Sequence, residues 1–437
     1  MKIYLAIVFS CLVNAALAET SADLVHARAI TANALKARAA NKPAEYLSLM
    51  QEAFPFRPNM PGMMLRLSGA HAASLAGMAG TPVAEVNREK SLALLEQIAR
   101  TGLYFNIAAD PDFAGLKDEP RFRAVVDAMA INAQPFVKSV PAFELAEKDF
   151  LPEGIAYDEG TRSFFIASVH MRKIVKRLWT GQVKPFSMPA DGLWSVVAIA
   201  IDPQRRVLWA ASAAMDQSKD IDEKDIGRTA IFKYDLDREK LVARIELPRS
   251  AARRTFGDLL VAPNGDVYIS ESQEGGIYRV VGDRLESFVP PGSFASPQGM
   301  VLLDKNKWLY VADFSLGLMR VDMQTKVVEW LPPPPDGTLL GLDALARHGK
   351  KLIATQNGIR PHRVVEISLD AQGQVARVVR LESSHPKYNE PTLGVVVGND
   401  FYYVANAQWD LFERGKTAPL DQLAVPLILR LPLGEKK

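Results

Sequence analysis

Acidic and amide side chains open a series of short alternating apolar segments in the later two-thirds of the chain. They are Glu153 in PEGIAYD, Asp258 in GDLLVAP, Gln298 in SPQGMVL, Asp343 in GLDALAR, and Glu390 with Thr392 in EPTLGVVV. A second set closes segments of the same kind: His170, Glu271, Asp313, Gln356 with Asn357, and Asn406 with Gln408. Carboxylates gathered at one place repel and desolvate one another unless a cation or a shared proton offsets them. Oxygen donors with no thiol and little imidazole favour a hard cation, Ca2+ first, with Mg2+ and Mn2+ as alternatives. Asp258 and His170 are the candidate proton carriers, since imidazole titrates near neutral pH; the plain alternative for His170 is a strand-capping loop histidine. Asn357, Asn406 and Trp409, beside the last polar pair, are the candidate substrate contacts. The other tryptophans, Trp179, Trp194, Trp209, Trp308 and Trp330, read as core.

Other chemistries lack their residues. No G-x-S-x-G is present, and Ser168 near His170 has no evident acid partner, which disfavours serine hydrolysis. No phosphate loop or dinucleotide fingerprint occurs. Cys11 is the single cysteine and falls in the N-terminal apolar run, so a processed chain would hold no thiol ligand, nucleophile or disulfide. Formal net charge is +2, near balance, and gives no reason to expect nucleic acid as a partner.

The elements that position these residues repeat. From about Phe143 the hydrophobic period is two, and six segments align: SFFIASV (163–169), RVLWAAS (206–212), DVYISES (266–272), KWLYVAD (307–313), KLIATQN (351–357) and DFYYVAN (400–406). Each is followed by a further strand pattern, and the spacing of roughly 40 to 60 residues suits propeller blades. The last unit lacks a fourth strand after LILRLPL (427–433), while AFELAEKDF (142–150) stands alone before the first. A closed ring leaves no free edge, so this lone strand is expected to complete the sixth blade. In an antiparallel blade the start of the inner strand and the end of the second lie at one rim. Both polar sets are therefore expected at one mouth of the central channel.

Before the propeller, residues 19–135 read as a helical domain. Ala27, Ile30, Ala34 and Ala37 recur at helical spacing, and residues 61–102 read as a helix pair, Met63 to Leu75 and Val83 to Thr101. That pair resembles a tetratricopeptide unit, and DPDFAGLKDEPRF (110–122) resembles the end of such an array. Such units need neighbours to bury their apolar faces, so the domain is expected to pack on the propeller, as a cap or as a groove for a protein partner. Residues 1–18 have the form of a cleaved export signal: Lys2, an apolar run from Ile3 to Val13, and Ala16-Leu17-Ala18. The expectation is a periplasmic or secreted protein starting at Glu19, with no later transmembrane segment. The fold class is thus α+β multidomain, a helical domain followed by an all-β six-bladed propeller over 142–437.

With those motifs in order, the propeller resembles the senescence marker protein/gluconolactonase (regucalcin-like) family. That family holds a divalent metal at the channel mouth by a Glu in a Glu-Gly step, an Asn in an Asn-Gly step and an Asp in an Asp-Gly step. The resemblance implies Glu153, Gln298 and Asp343 as metal ligands here, with Gln in place of Asn and Asp343-Ala344 in place of Asp-Gly. The family's Asn-Asp pair in the third blade stands here as Gly257-Asp258. The resemblance implies a divalent-metal-dependent hydrolase of a lactone or ester acting on a small molecule at the mouth. A non-enzymatic ligand- or protein-binding scaffold is the alternative, because the same fold serves both.

Overall fold

A computed structural model of the chain describes residues 21–76, 78, 80–304, 306–412 and 418–434. The export signal read at residues 1–18 lies outside them. Five helices come first: α1 (Ser21–Ala39), α2 (Pro43–Ala53), α3 (Pro61–Ala73), α4 (Pro82–Arg100) and α5 (Pro120–Asn132). Proline opens α2 to α5 at the first turn, where its missing N–H costs nothing. Thr81 caps α4 by accepting from the Ala84 N–H. Small residues on α1 and α3, Ala27, Ala34 and Ala70, let the helices close around Tyr46, Met50 and Met63. A second apolar cluster joins α3, α4 and α5 through Met64, Leu92, Leu95, Ile98, Phe113, Phe122 and Met129.

Six four-stranded antiparallel sheets follow and form the propeller. The aligned segments are the second strands of the blades, Ser163–Ser168, Val207–Ala213, Val267–Glu271, Trp308–Asp313, Lys351–Gln356 and Asp400–Val404. Aromatic residues fill the space between neighbouring sheets. Phe165 of blade one, for example, packs with Trp194, Phe232 and Tyr234 of blade two. Truncating one such ring to alanine costs about 3–5 kcal/mol. Among the tryptophans, Trp194, Trp209 and Trp330 are buried. Trp179, expected in the core, is 66% exposed beneath the Arg162 guanidinium, because it sits in the turn before the outer strand.

Strand Val140–Glu144 pairs with Leu427–Pro432 as the outermost strand of blade six, so the segment that precedes blade one closes the ring. The lone strand is shorter than the 142–150 expected and begins earlier. Lys148–Phe150 forms a short 3-10 turn, with Leu151 in the left-handed region, where the chain bends into the first inner strand.

The helical domain packs on the turns of blades four and five, on the rim where inner strands begin. Leu24 joins the apolar cluster of Phe294, Leu316 and Trp330. Buried Arg57 donates to the Ser315 carbonyl at 2.6 Å. Buried Arg363 donates to the Thr101 carbonyl at 2.9 Å and to the Gln356 amide oxygen at 2.7 Å. The Tyr104 N–H donates to the Arg360 carbonyl at 3.0 Å. No described helix is long and apolar enough to cross a membrane.

Candidate functional site at the capped mouth

Each of the first five inner strands carries a register break near its start, between Pro152 and Ile155, Val196 and Ala198, Phe256 and Leu259, Pro297 and Met300, and Leu342 and Leu345. Glu153, Asp258, Gln298 and Asp343 all lie inside these breaks. A β-bulge re-aims a side chain and bends its strand, so four blades deliver a polar group by one device. The glycines of the Glu-Gly and Gln-Gly steps have a separate reason. A Cβ on Gly154 would approach the Ala198 backbone to 3.0 Å, and one on Gly299 would approach the Leu345 nitrogen to 2.4 Å. Glycine lets adjacent inner strands close to that distance.

Glu153 is buried, and its Oε2 accepts from the Trp409 indole N–H at 2.9 Å. Burial pushes its carboxyl well above the usual range, and the charges of Asp343 and Glu390 add to that. Asp343 is buried, and its Oδ2 accepts from the Asn357 amide at 2.7 Å. Burial, with Glu390 adding, pushes Asp343 up to about 6. Asp258 keeps some solvent access on the channel wall but lies deep in protein, and burial pushes it up to about 7 against the pull of the Leu259 and Met300 backbone N–H groups. Glu390 is raised by burial and then by Asp410, while the Arg360 charge draws it down. Glu390 and Gln408 both adopt left-handed backbone, φ 56° and 64°, in loops joined by the Gln408 N–H to the Asn389 carbonyl. Non-glycine residues held there store strain, which clusters at binding and catalytic sites.

Apart from Asn357, the second polar set has a different task. Asp313 accepts four backbone N–H bonds, from Ala295, Ser296, Ser315 and Leu316. Glu271 accepts from Thr255, Gln273 and Glu274. Gln356 donates to Thr338 and Leu340, and Gln408 bonds the Ala424 N–H and carbonyl. Asn406 donates to the Val425 carbonyl and accepts from the Leu427 N–H. These side chains are committed to loop backbone in blades three to six rather than to the channel expected from the sequence, and both ends of the Asn406 amide are so committed. His170 donates from Nδ1 to the Gln217 carbonyl at 2.7 Å, and its ring packs 5.0 Å from Phe412. Gln298 donates to the Ser296 hydroxyl at 3.2 Å.

The structure therefore brings Glu153, Asp343, Asn357 and Trp409 together, with Glu390 and Asp258 close enough for their charges to be felt. Glu390 is the member that sequence reading underweighted; its signal is its place two residues before Thr392 at an inner-strand opening. No described Lys or Arg forms an ion pair with any of the four acids. Two buried oxygens, Asn357 Oδ1 and Glu390 Oε2, have no hydrogen-bond partner. No three described His, Cys, Asp or Glu side chains form a ready metal cluster. A cation here would instead draw on two carboxylates together with such an orphaned oxygen. The donor set, hard oxygen throughout and short of positive charge, fits a divalent cation of the Ca2+ or Mg2+ type.

Fold and site together define a six-bladed propeller with acids at its channel mouth and a helical domain seated on the same rim. Solved structures similar to the chain include the calcium-binding protein regucalcin from Agrobacterium tumefaciens, at 15% identity over 69% of this chain and 95% of that one, TM-score 0.48. A gluconolactonase from Xanthomonas campestris is similar at 15% identity over 70% of this chain and 92% of that one, TM-score 0.44. No protein-family model and no curated sequence matches the chain.

Proposed function

We propose that the capped mouth binds a divalent cation, Ca2+ first among the candidates, and hydrolyses a lactone or related ester in a protein exported to the periplasm or beyond. The observation that carries this is the cluster of four acids raised by burial, with Asn357 Oδ1 and Glu390 Oε2 buried and unpartnered beside them. Uncompensated carboxylates at one buried mouth are costly, and a cation relieves both the repulsion and the orphaned acceptors. Glu153, Asp343 and the Asn357 carbonyl oxygen would hold it, with Glu390 completing the charge. Asn357 takes the part that the resemblance implied for Gln298. A cation so held supplies Lewis-acid polarisation of a substrate carbonyl.

The chain's own groups supply the rest. Asp258, at about 7, can accept a proton from water and return it to a leaving alkoxide near neutral pH. Trp409 holds the Glu153 carboxyl by its indole N–H, which favours the charged form against the larger opposing effect of burial. Asn357 orients Asp343 by its amide N–H. His170, held in the loop wall by Gln217 and Phe412, is left to position that wall, and proton work falls to Asp258.

The binding-scaffold reading rests on a different observation, the helical cap seated directly on the rim. One experiment separates the two: metal analysis of the purified chain, followed by a lactone and ester panel with and without chelator. Bound divalent metal and chelator-sensitive turnover support the hydrolase. Metal-free protein with no turnover across the panel would leave the scaffold.

A further inference from the structure

A cleft of about 690 Å3 runs between the helical cap and the rim of blades four and five. That lies within the roughly 300–1,000 Å3 that small-molecule sites occupy. Its walls come from both domains and are largely apolar: Leu24, Tyr104 and Phe105 from the cap, Phe314, Leu340 and Ile359 from the rim. Tyr104 and Phe314, 36% and 37% exposed, both face this cleft and leave apolar surface open to a ligand. Asn357, whose amide N–H holds Asp343, is also part of the wall, so the cleft adjoins the acidic mouth. Arg28 and Arg360 line it as well, both exposed and neither in an ion pair with a described residue.

We infer that this cleft is the specificity pocket for an amphipathic substrate, an apolar chain between the two domains with an anionic substituent facing Arg28 or Arg360. As a statement about substrate, this rests on the hydrolase reading above. The apolar walls take the chain by removing hydrocarbon from water, the arginines attract the anion, and Asn357 marks the end at which the reacting carbonyl would meet the acids. Recognition would then depend on the cap, which no propeller rim supplies alone.

Gly62 gives a way to close the cleft without touching the mouth. It lies at the start of α3 on the cleft wall, and a Cβ there would meet only the flexible ends of Arg66 and Met60, each at 3.7 Å. Gly62→Phe should fill the space. The probe is dodecanoate, titrated calorimetrically into the full mature chain in chelator, so that binding needs neither metal nor turnover. Expected is saturable binding, weakened roughly tenfold in Gly62→Phe and in Arg28→Gln/Arg360→Gln. Hexanoate should bind more weakly than dodecanoate, by up to about fourfold for each methylene lost. Absence of dodecanoate binding, or equal binding by all three proteins, overturns the inference. The double arginine variant changes exposed residues and keeps the test valid if Gly62→Phe does not fold. With divalent cation present, turnover of γ-lactones should rise with chain length in the wild type and not in Gly62→Phe. If dodecanoate binds as expected and no lactone is hydrolysed, the hydrolase reading fails while the cleft stands.

Discussion

The side-chain oxygen of Gln298 lies 2.7 Å from the place a Cβ on Gly257 would take. Gln298 of blade four and Gly257 of blade three thus share one space. The longer glutamine uses space that any side chain at 257 would claim. A Cβ at 257 would also meet the Pro297 carbonyl at 2.6 Å and the Ser272 hydroxyl at 2.7 Å. Gly257→Ala should therefore destabilise the protein by about 1–3 kcal/mol. Gln298→Asn should recover part of that loss, and the rest should persist because the Pro297 contact is with backbone. Urea unfolding of both single variants and the double variant checks this. Strict additivity would show that the two positions are not coupled.

The raised acids set the sign of the pH dependence. Asp258 and Asp343 titrate near 7 and 6 in the folded chain, above their usual value of 3.8. Between those limits the folded state binds more protons than the unfolded one, so stability falls as pH rises. Metal-free protein should be more stable at about pH 5 than at about pH 7.5. A saturating divalent cation favours the ionised acids and should flatten or reverse that slope. Denaturation midpoints at the two pH values, with chelator and with Ca2+, give the comparison. A chelated protein that gains stability through this range would contradict the burial of these groups.

Arg363 ties cap to propeller. Its guanidinium is fully buried and bonds Thr101 of the cap on one side and Gln356 of blade five on the other. Arg363→Met keeps much of the length and leaves both acceptors without a donor, at about 1–3 kcal/mol each. Melting temperature should fall, and limited proteolysis should release the helical segment before the propeller is cut. An unchanged cleavage pattern would place the docking energy elsewhere, in Arg57 or Leu24.

Much of the fold is legible in the sequence because period-two alternation and a free edge are local facts. SFFIASV and its five counterparts declare the second strands, and LILRLPL with no outer neighbour calls for the strand at Val140–Glu144. The site is less legible. Glu153 and Asp343 can be found from their place at strand openings, but period two says only which rim a residue reaches. It does not say whether Asp313 or Asn406 looks into the channel or back at a loop N–H. Nor does it show the register breaks that aim Glu153 and Asp258, or the left-handed turn that presents Glu390. Those depend on neighbouring blades approaching to a distance that only Gly154 and Gly299 report, and weakly.

Trp409 tests the support of the mouth. Trp409→Phe keeps a ring and removes the one indole N–H that bonds Glu153. The carboxyl should rise further, cation affinity should weaken, and stability should change by about 1–3 kcal/mol at most. Calorimetric Ca2+ titration at several pH values reads this. Affinity equal to wild type at every pH would show that the indole does not tune Glu153.

The central claim is a cation at the mouth, and its most direct measurement is the melting temperature of wild type and Asp343→Asn as Ca2+ is raised from chelated to millimolar. A ligand that binds the folded state stabilises it by mass action, by about 2.7 kcal/mol at a hundred times its dissociation constant. Wild type should melt progressively higher with Ca2+. Asp343→Asn should be at least as stable as wild type in chelator, because repulsion is relieved, and should respond little to Ca2+. A wild type that does not shift between chelator and Ca2+, or a variant that shifts as much as wild type, would contradict the account.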